Sequence, residues 1–306
     1  MRLTLLDLDG SLPPQLPALR NARPWSEVAS IDLRDLGPRL RLWSRDRAMR
    51  LARERLRSDD ATPAIRLLGS GDFHHLAVLA MEQAREPITV VHLDNHPDWV
   101  RLAPRWHCGS WVNRALALAH VDRVITLGPC SDDLVRPGLK GGNIAALASG
   151  KLVLFPWRHE PSRLYHPIPD GVGHRYEAGF LIWRNLADAD LDEMLASILA
   201  LIRTEAVWFS IDKDVLPEDE ALTNWDQGQM PLAAVLRVIE FIGARKRVVG
   251  ADICGEFSAA EHSNFFKRWE ARMDQPERLG ETQRLAQNER VNVALLCAID
   301  EASRAC

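Results

Sequence analysis

The run His92-Leu93-Asp94-Asn95-His96-Pro97-Asp98 directly follows the apolar stretch ITVV, where a buried strand would surface. Asp94, His96 and Asp98 alternate, so if the strand continues they share one face. Two carboxylates and an imidazole on one face are a good set of hard and borderline metal ligands. The same polar residues could instead cap neighbouring helices. A second run, Ser210-Ile211-Asp212-Lys213-Asp214, follows AVWF and puts Asp212 and Asp214 on a common face at another strand end. A third, Gly71-Asp72-Phe73-His74-His75, follows IRLLGS and opens a helical pattern, from which a histidine could reach the same sheet edge.

Asp94, Asp98, Asp212 and Asp214 would bring four negative charges together. Without a metal they repel, and at least one must titrate far above its ordinary value. Two divalent cations cancel the sum while the histidines ligate as neutral imidazoles. The expectation is therefore a binuclear centre, whose bridging hydroxide would be the nucleophile. Oxygen-rich ligation with some imidazole points to Mn²⁺, with zinc, iron or cobalt as alternatives.

These residues need a scaffold. Short apolar runs recur at 3–8, 65–69, 88–94, 123–128, 151–155, 206–212, 247–252 and 291–297, most ending at Gly or Asp. Several lack strict alternation, as strands of a parallel sheet covered on both faces do. Helical patterns separate them, including 186–203 and 231–246. The reading is one α/β domain over 1–306, doubly wound, with about eight strands and its functional residues beyond their carboxyl ends. The stretch 156–183, rich in Pro, Gly and His, reads as an irregular excursion, either a lid or a surface loop.

Composition narrows the function. Lys plus Arg total 38 against 42 for Asp plus Glu, a formal charge of -4, which gives no support to a broad nucleic-acid-binding surface. No apolar stretch is long enough for a membrane span, and aspartates interrupt the first apolar run, so no secretory signal is expected. Five scattered cysteines form neither a metal knuckle nor an evident disulfide framework. A cytoplasmic location, a small-molecule substrate and a possible homo-oligomer are the resulting expectations.

In order and spacing, GDFHH, DNHPD and SIDKD resemble the GGDHS, DAHxD and SxDxDxxDP motifs of the arginase–agmatinase (ureohydrolase) superfamily over roughly residues 60–260. That resemblance implies a three-layer α/β/α fold with a mostly parallel, roughly eight-stranded sheet and two Mn²⁺ ions. It implies that His74, Asp94, Asp98 and Asp212 hold one ion and that Asp94, His96, Asp212 and Asp214 hold the other, with Asp94 and Asp212 bridging. His107 in WHCGSW matches the family's proton-shuttle histidine, Asp98 or Asp214 would also steady the nucleophile, and Glu256 in ADICGEF matches, with one extra residue, the acidic residue that contacts the guanidinium, with Asp252 as the alternative. The chain departs from the family after Asp214, where VLPEDEALTNWDQG replaces the DP step, and after DNHPD, where residues that grip an amino-acid carboxylate are missing. The implied activity is hydrolysis of a non-peptide C–N bond of amidine, guanidine or amide type, with arginase itself disfavoured. Two alternatives stay open: a non-catalytic partner-binding protein of the same fold, for which the ten tryptophans are the motive, and a haloacid-dehalogenase-type phosphatase using Asp7 and Asp9 in LDLDGS.

Overall fold

A computed structural model of the chain describes residues 1–22, 27–56, 64–101, 106–276 and 285–305; Trp25 and Cys306 lie outside them. Eight strands form the central sheet: β1 (Arg2–Asp7), β2 (Val28–Asp32), β3 (Ala64–Leu67), β4 (Ile88–Leu93), β5 (Val121–Leu127), β6 (Leu152–Phe155), β7 (Ala206–Asp212) and β8 (Arg247–Cys254). They lie in the order β2-β1-β3-β8-β7-β4-β5-β6, and every pairing is parallel. The central strands β3, β4 and β7 are buried along their whole length, which is why their sequences run apolar without alternation.

Each face of the sheet is sealed by its own apolar layer. One packs Val207, Phe209 and Ile253 against Leu195, Val235 and Leu295 of the helices Leu191–Leu199, Leu232–Gly243 and Leu285–Ala305. The other sets Val90, Val124 and Trp208 against Met49, Val78 and Val112 of Asp46–Leu56, Ala77–Met81 and Trp111–Ala115. Each such fully buried aliphatic side chain is worth about 1.5–3 kcal/mol relative to exposure. The result is the expected three-layer α/β/α architecture.

Three expectations need correction. The run at 291–297 is not a strand but part of the 21-residue helix Leu285–Ala305. Its buried residues Val291, Leu295, Leu296, Ile299 and Ala302 follow a helical spacing. The eighth strand is instead Val28–Asp32, an edge strand with no fully buried residue, so its sequence carries no apolar run. The excursion at 156–183 contains a small antiparallel sheet, with Phe180–Trp183 between Ser162–Arg163 and His174–Glu177. A further two-residue ladder pairs Trp43–Ser44 with Trp106–His107, beside the sheet's carboxyl edge.

Candidate metal centre

All three motifs converge beyond the carboxyl ends of the central strands β3, β8, β7 and β4. They do not do so by continued strand alternation. β4 ends at Leu93, and Asp94–Asp98 turn back on themselves. The His96 amide donates to Asp94 Oδ1 at 2.6 Å, and Asp98 takes φ +48°. Asp212 closes β7, and its Oδ1 accepts the Asp214 amide at 3.0 Å as the next turn begins.

His74 faces three carboxylates. Its Nδ1 lies 3.2 Å from Asp94 Oδ2, 3.3 Å from Asp98 Oδ2 and 3.7 Å from Asp212 Oδ2. On the far side of the ring, Nε2 meets Ser210 Oγ at 2.9 Å, and that hydroxyl donates to Asp252 Oδ1 at 2.7 Å. The serine proton is thus committed to Asp252, so Ser210 accepts from His74 Nε2–H. In its neutral, ligating form the ring turns its Nδ1 lone pair toward three acids. This nitrogen is buried and has no hydrogen-bond partner. Such an arrangement calls for a cation in the gap.

A second group repeats the pattern. His96 Nδ1 lies 3.0 Å from Asp214 Oδ2 and 3.7 Å from Asp94 Oδ1, while its Nε2 contacts Asp226 Oδ1 at 2.9 Å. Asp94 therefore presents one oxygen to each group. Ligand-capable atoms lie within 4.8 Å of one another inside each of three groups: His74, His92, Asp94 and Asp98; His74, Asp212 and Cys254; and Asp94, His96 and Asp214. The donor sets fit two divalent cations.

Electrostatics agree with a site built for cations. Burial, then Asp94, pushes the Asp98 carboxyl up to about 7. Burial, then Asp212 and Asp94, raises Asp214 well above the carboxylate range, and burial with Asp94 raises Asp212. Burial would raise Asp94 too, but His92, His74 and His96 hold it well below. Burial opposes charge on His74, yet Asp94 and Asp98 outweigh it and lift the imidazole well above its usual value. The metal-free cluster thus shares protons where metal would sit.

Several contributors were not legible in the sequence. His92 contacts Asp94 Oδ2 at 2.8 Å and Thr126 Oγ1 at 3.1 Å; it sits inside the motif run, which was its only signal. Cys254 donates to Asp212 Oδ2 at 3.1 Å, and Trp111 Nε1–H donates to Asp98 Oδ2 at 2.6 Å. Trp225 lines the cavity and donates to Asp72 Oδ1 at 2.9 Å, whereas Trp99 is buried and Trp106 stacks on Arg114. Gly255 has φ +88°, and a Cβ there would run into Asp212 Oδ1 and the Lys213 amide. Gly255→Ala is expected to strain the backbone by about 1–3 kcal/mol and to displace Asp212. Isothermal titration should then show metal affinity at least tenfold weaker, and unchanged affinity would refute the coupling.

His107 lines the same cavity, of about 640 Å³. Glu256 does not line it. Its buried carboxylate is held by Lys213 Nζ, by Asn292 Nδ2 at 2.6 Å and by Asn288 Nδ2 at 3.1 Å. Lys213, the middle residue of the third motif, thus occupies the carboxylate expected to meet substrate. Asp9, of the phosphatase reading, accepts from Arg41, Ser11 and Ser258, and Asp7 caps the Gly10 amide. Lys213 is paired with Glu256 and is not recruited to either aspartate.

The whole chain superposes on proclavaminate amidino hydrolase from Streptomyces clavuligerus with a TM-score of 0.60 and 14 % identity, covering 100 % of this chain and 92 % of that one. Entamoeba histolytica arginase gives 0.62 with 12 % identity and 97 % coverage of both chains. The chain has the arginase–agmatinase fold. Bacillus subtilis formimidoylglutamase shares the fold with a TM-score of 0.55, 15 % identity, and coverage of 96 % of this chain and 85 % of that one. No protein-family model matches the chain. An uncharacterized protein of Thermotoga maritima is 28 % identical over 192 residues, 63 % of this chain but only 58 % of that relative's length. Arginase-fold architecture is therefore retained at low sequence identity. Among the described residues no helix is long and apolar enough to cross a membrane.

Proposed function

We propose that the chain is a binuclear metal-dependent hydrolase acting on a non-peptide C–N bond of amidine, guanidine or amide type. The observation that carries this reading is the buried, unpartnered His74 Nδ1 set against three carboxylates, with a second histidine–carboxylate group sharing Asp94. The fold shared with an amidino hydrolase and an arginase supports it. His74, Asp94, Asp98 and Asp212 would hold one ion and Asp94, His96, Asp212 and Asp214 the other, Mn²⁺ being favoured by the oxygen-rich set. When bound, the ions would supply Lewis acidity and lower the pKa of water enough to make a nucleophile at neutral pH.

The chain's own residues supply the rest. Asp98 is held by Trp111 and would accept a hydrogen bond from the attacking water. His107, which lines the cavity, would pass a proton to the leaving nitrogen, directly or through water. Among the described residues the outer cavity is acidic: Asp132, Asp133, Asp226 and Asp274 line it, and its lysine, Lys140, is bound to Asp132 at 2.6 Å. That wall favours a cationic or neutral substrate.

The test is elemental analysis of protein purified with manganese, followed by screening of guanidines, amidines and acylated amines for ammonia and urea release. About two metals per chain with turnover would support the reading; no metal uptake on titration would end it. His107→Ala is expected to keep its metal while turnover falls about 10²–10⁴-fold, the usual contribution of a positioned proton donor. Equal turnover in that variant would remove His107 from the mechanism.

A further inference from the structure

Trp43 and His107 stand directly opposite each other in the short antiparallel ladder. The helix Phe265–Asp274, which lies outside all three motifs, lays Glu270 across the pair. Oε2 accepts the Trp43 indole N–H at 2.7 Å, and Oε1 contacts His107 Nε2 at 2.6 Å. On the other side of the imidazole, the Gly109 amide donates to Nδ1 at 2.9 Å. A backbone N–H can only donate, so Nδ1 carries the lone pair and the ring proton sits on Nε2, facing Glu270. The helix itself is tied down. Lys267 Nζ donates to the carbonyls of Arg41 at 2.6 Å and Arg39 at 2.9 Å, and Gln275 donates to Asp72 Oδ1 at 2.6 Å.

We infer that Glu270 is a positioning residue for His107, holding the plane of its ring at the cavity wall and, together with the Gly109 amide, its tautomer. The inference rests on the catalytic reading of His107 given above. It also identifies a carboxylate beside the proton-moving group that comes from the tail helix, where Glu256 at the end of β8 is already taken by Lys213. Burial alone would raise the Glu270 carboxyl, but the hydrogen bonds from His107 and Trp43 and the nearby Lys267 hold it below the ordinary range. It is therefore an anion at neutral pH, able to accept both ring N–H groups at once. A carboxylate used in this way resembles the partner that orients a ligating or catalytic imidazole, whose loss commonly costs about 10–100-fold in activity or affinity.

A carboxylate that merely fastened the helix would leave the imidazole's state unchanged when replaced, and this separates the two roles. The full-length protein, labelled with ¹⁵N-histidine and kept metal-free, would be followed by NMR at one pH, with His107 assigned by its loss in His107→Ala. The wild type should show a single Nε2-protonated signature. In Glu270→Ala that signature should split into mixed tautomers or broaden by exchange, and Glu270→Asp should restore part of it. On any substrate found by screening, Glu270→Ala should lower kcat at least tenfold with KM and metal content unchanged. A sharp, unaltered His107 signature in Glu270→Ala would overturn the inference, whatever the activity. Failure of the metal reading would be seen separately, as absence of metal uptake in a protein whose His107 signature still depends on Glu270.

Discussion

Asp212→Ala is expected to empty both metal positions and to lower turnover by about 10⁴-fold, equivalent to about 5.5 kcal/mol of barrier. The carboxylate faces the first group and holds the turn that carries Asp214 of the second. Its Oδ2 lies 3.7 Å from His74 Nδ1 and 3.1 Å from Cys254 Sγ, and its Oδ1 holds the amide of Asp214 at 3.0 Å. Removing it would delete one proposed ligand and also release the turn that aims Asp214 at His96. Asp94→Ala should behave alike, because Asp94 gives Oδ2 to the His74 group and Oδ1 to the His96 group. Elemental mass spectrometry of each variant beside the wild type checks both. Metal content at the wild-type level in either would rule out its bridging role.

The second large effect links metal, pH and stability. In the metal-free protein burial and the neighbouring Asp94 push the Asp98 carboxyl up to about 7, from an ordinary 3.8. A carboxyl whose folded pKa lies above its unfolded value binds its proton preferentially in the folded state. Its stabilising contribution is full below the unfolded value and is lost as pH rises through the folded value. The raised carboxyls of Asp212 and Asp214 act in the same direction. Stability of the metal-free protein should therefore fall between about pH 4 and pH 7, by about a few kcal/mol. Manganese should reverse the trend. Its ligands must be deprotonated, so affinity rises with pH and protons are released on binding. At 100 times the dissociation constant, each filled site adds about 2.7 kcal/mol. Thermal melts from pH 5 to 8, with Mn²⁺ and with chelator, provide the test. Parallel pH dependences in the two series would show that these carboxylates do not bind the ion.

The motifs and most of the sheet were legible for definite reasons. Divalent metal chemistry restricts ligands to a few residue types, so His74, Asp94, His96, Asp98, Asp212 and Asp214 stand out wherever an apolar run ends. Strands covered on both faces must be apolar throughout, which exposed seven of the eight. The remaining strand, Val28–Asp32, lies at the sheet edge with partly exposed side chains, so nothing in its composition marks it. Residues 291–297 were ambiguous because a short apolar run has no readable period; only packing against β8 and neighbouring helices selects the helix.

Sequence alone therefore determined the kind of chemistry, the three runs that bear it and the α/β class. Tertiary structure decided how the residues meet. A turn, and not strand alternation, gathers Asp94, His96 and Asp98. Asp226 reaches His96 across 130 residues, and Glu270 reaches His107 across 163. Glu256 is withdrawn from the cavity by Lys213, a pairing between β8 and the turn after β7. Ligand identity is set by local chemistry and spacing, which a linear sequence records. The partners that orient those ligands are chosen by proximity in the folded chain, and carboxylates are common enough that no spacing distinguishes the ones that arrive there.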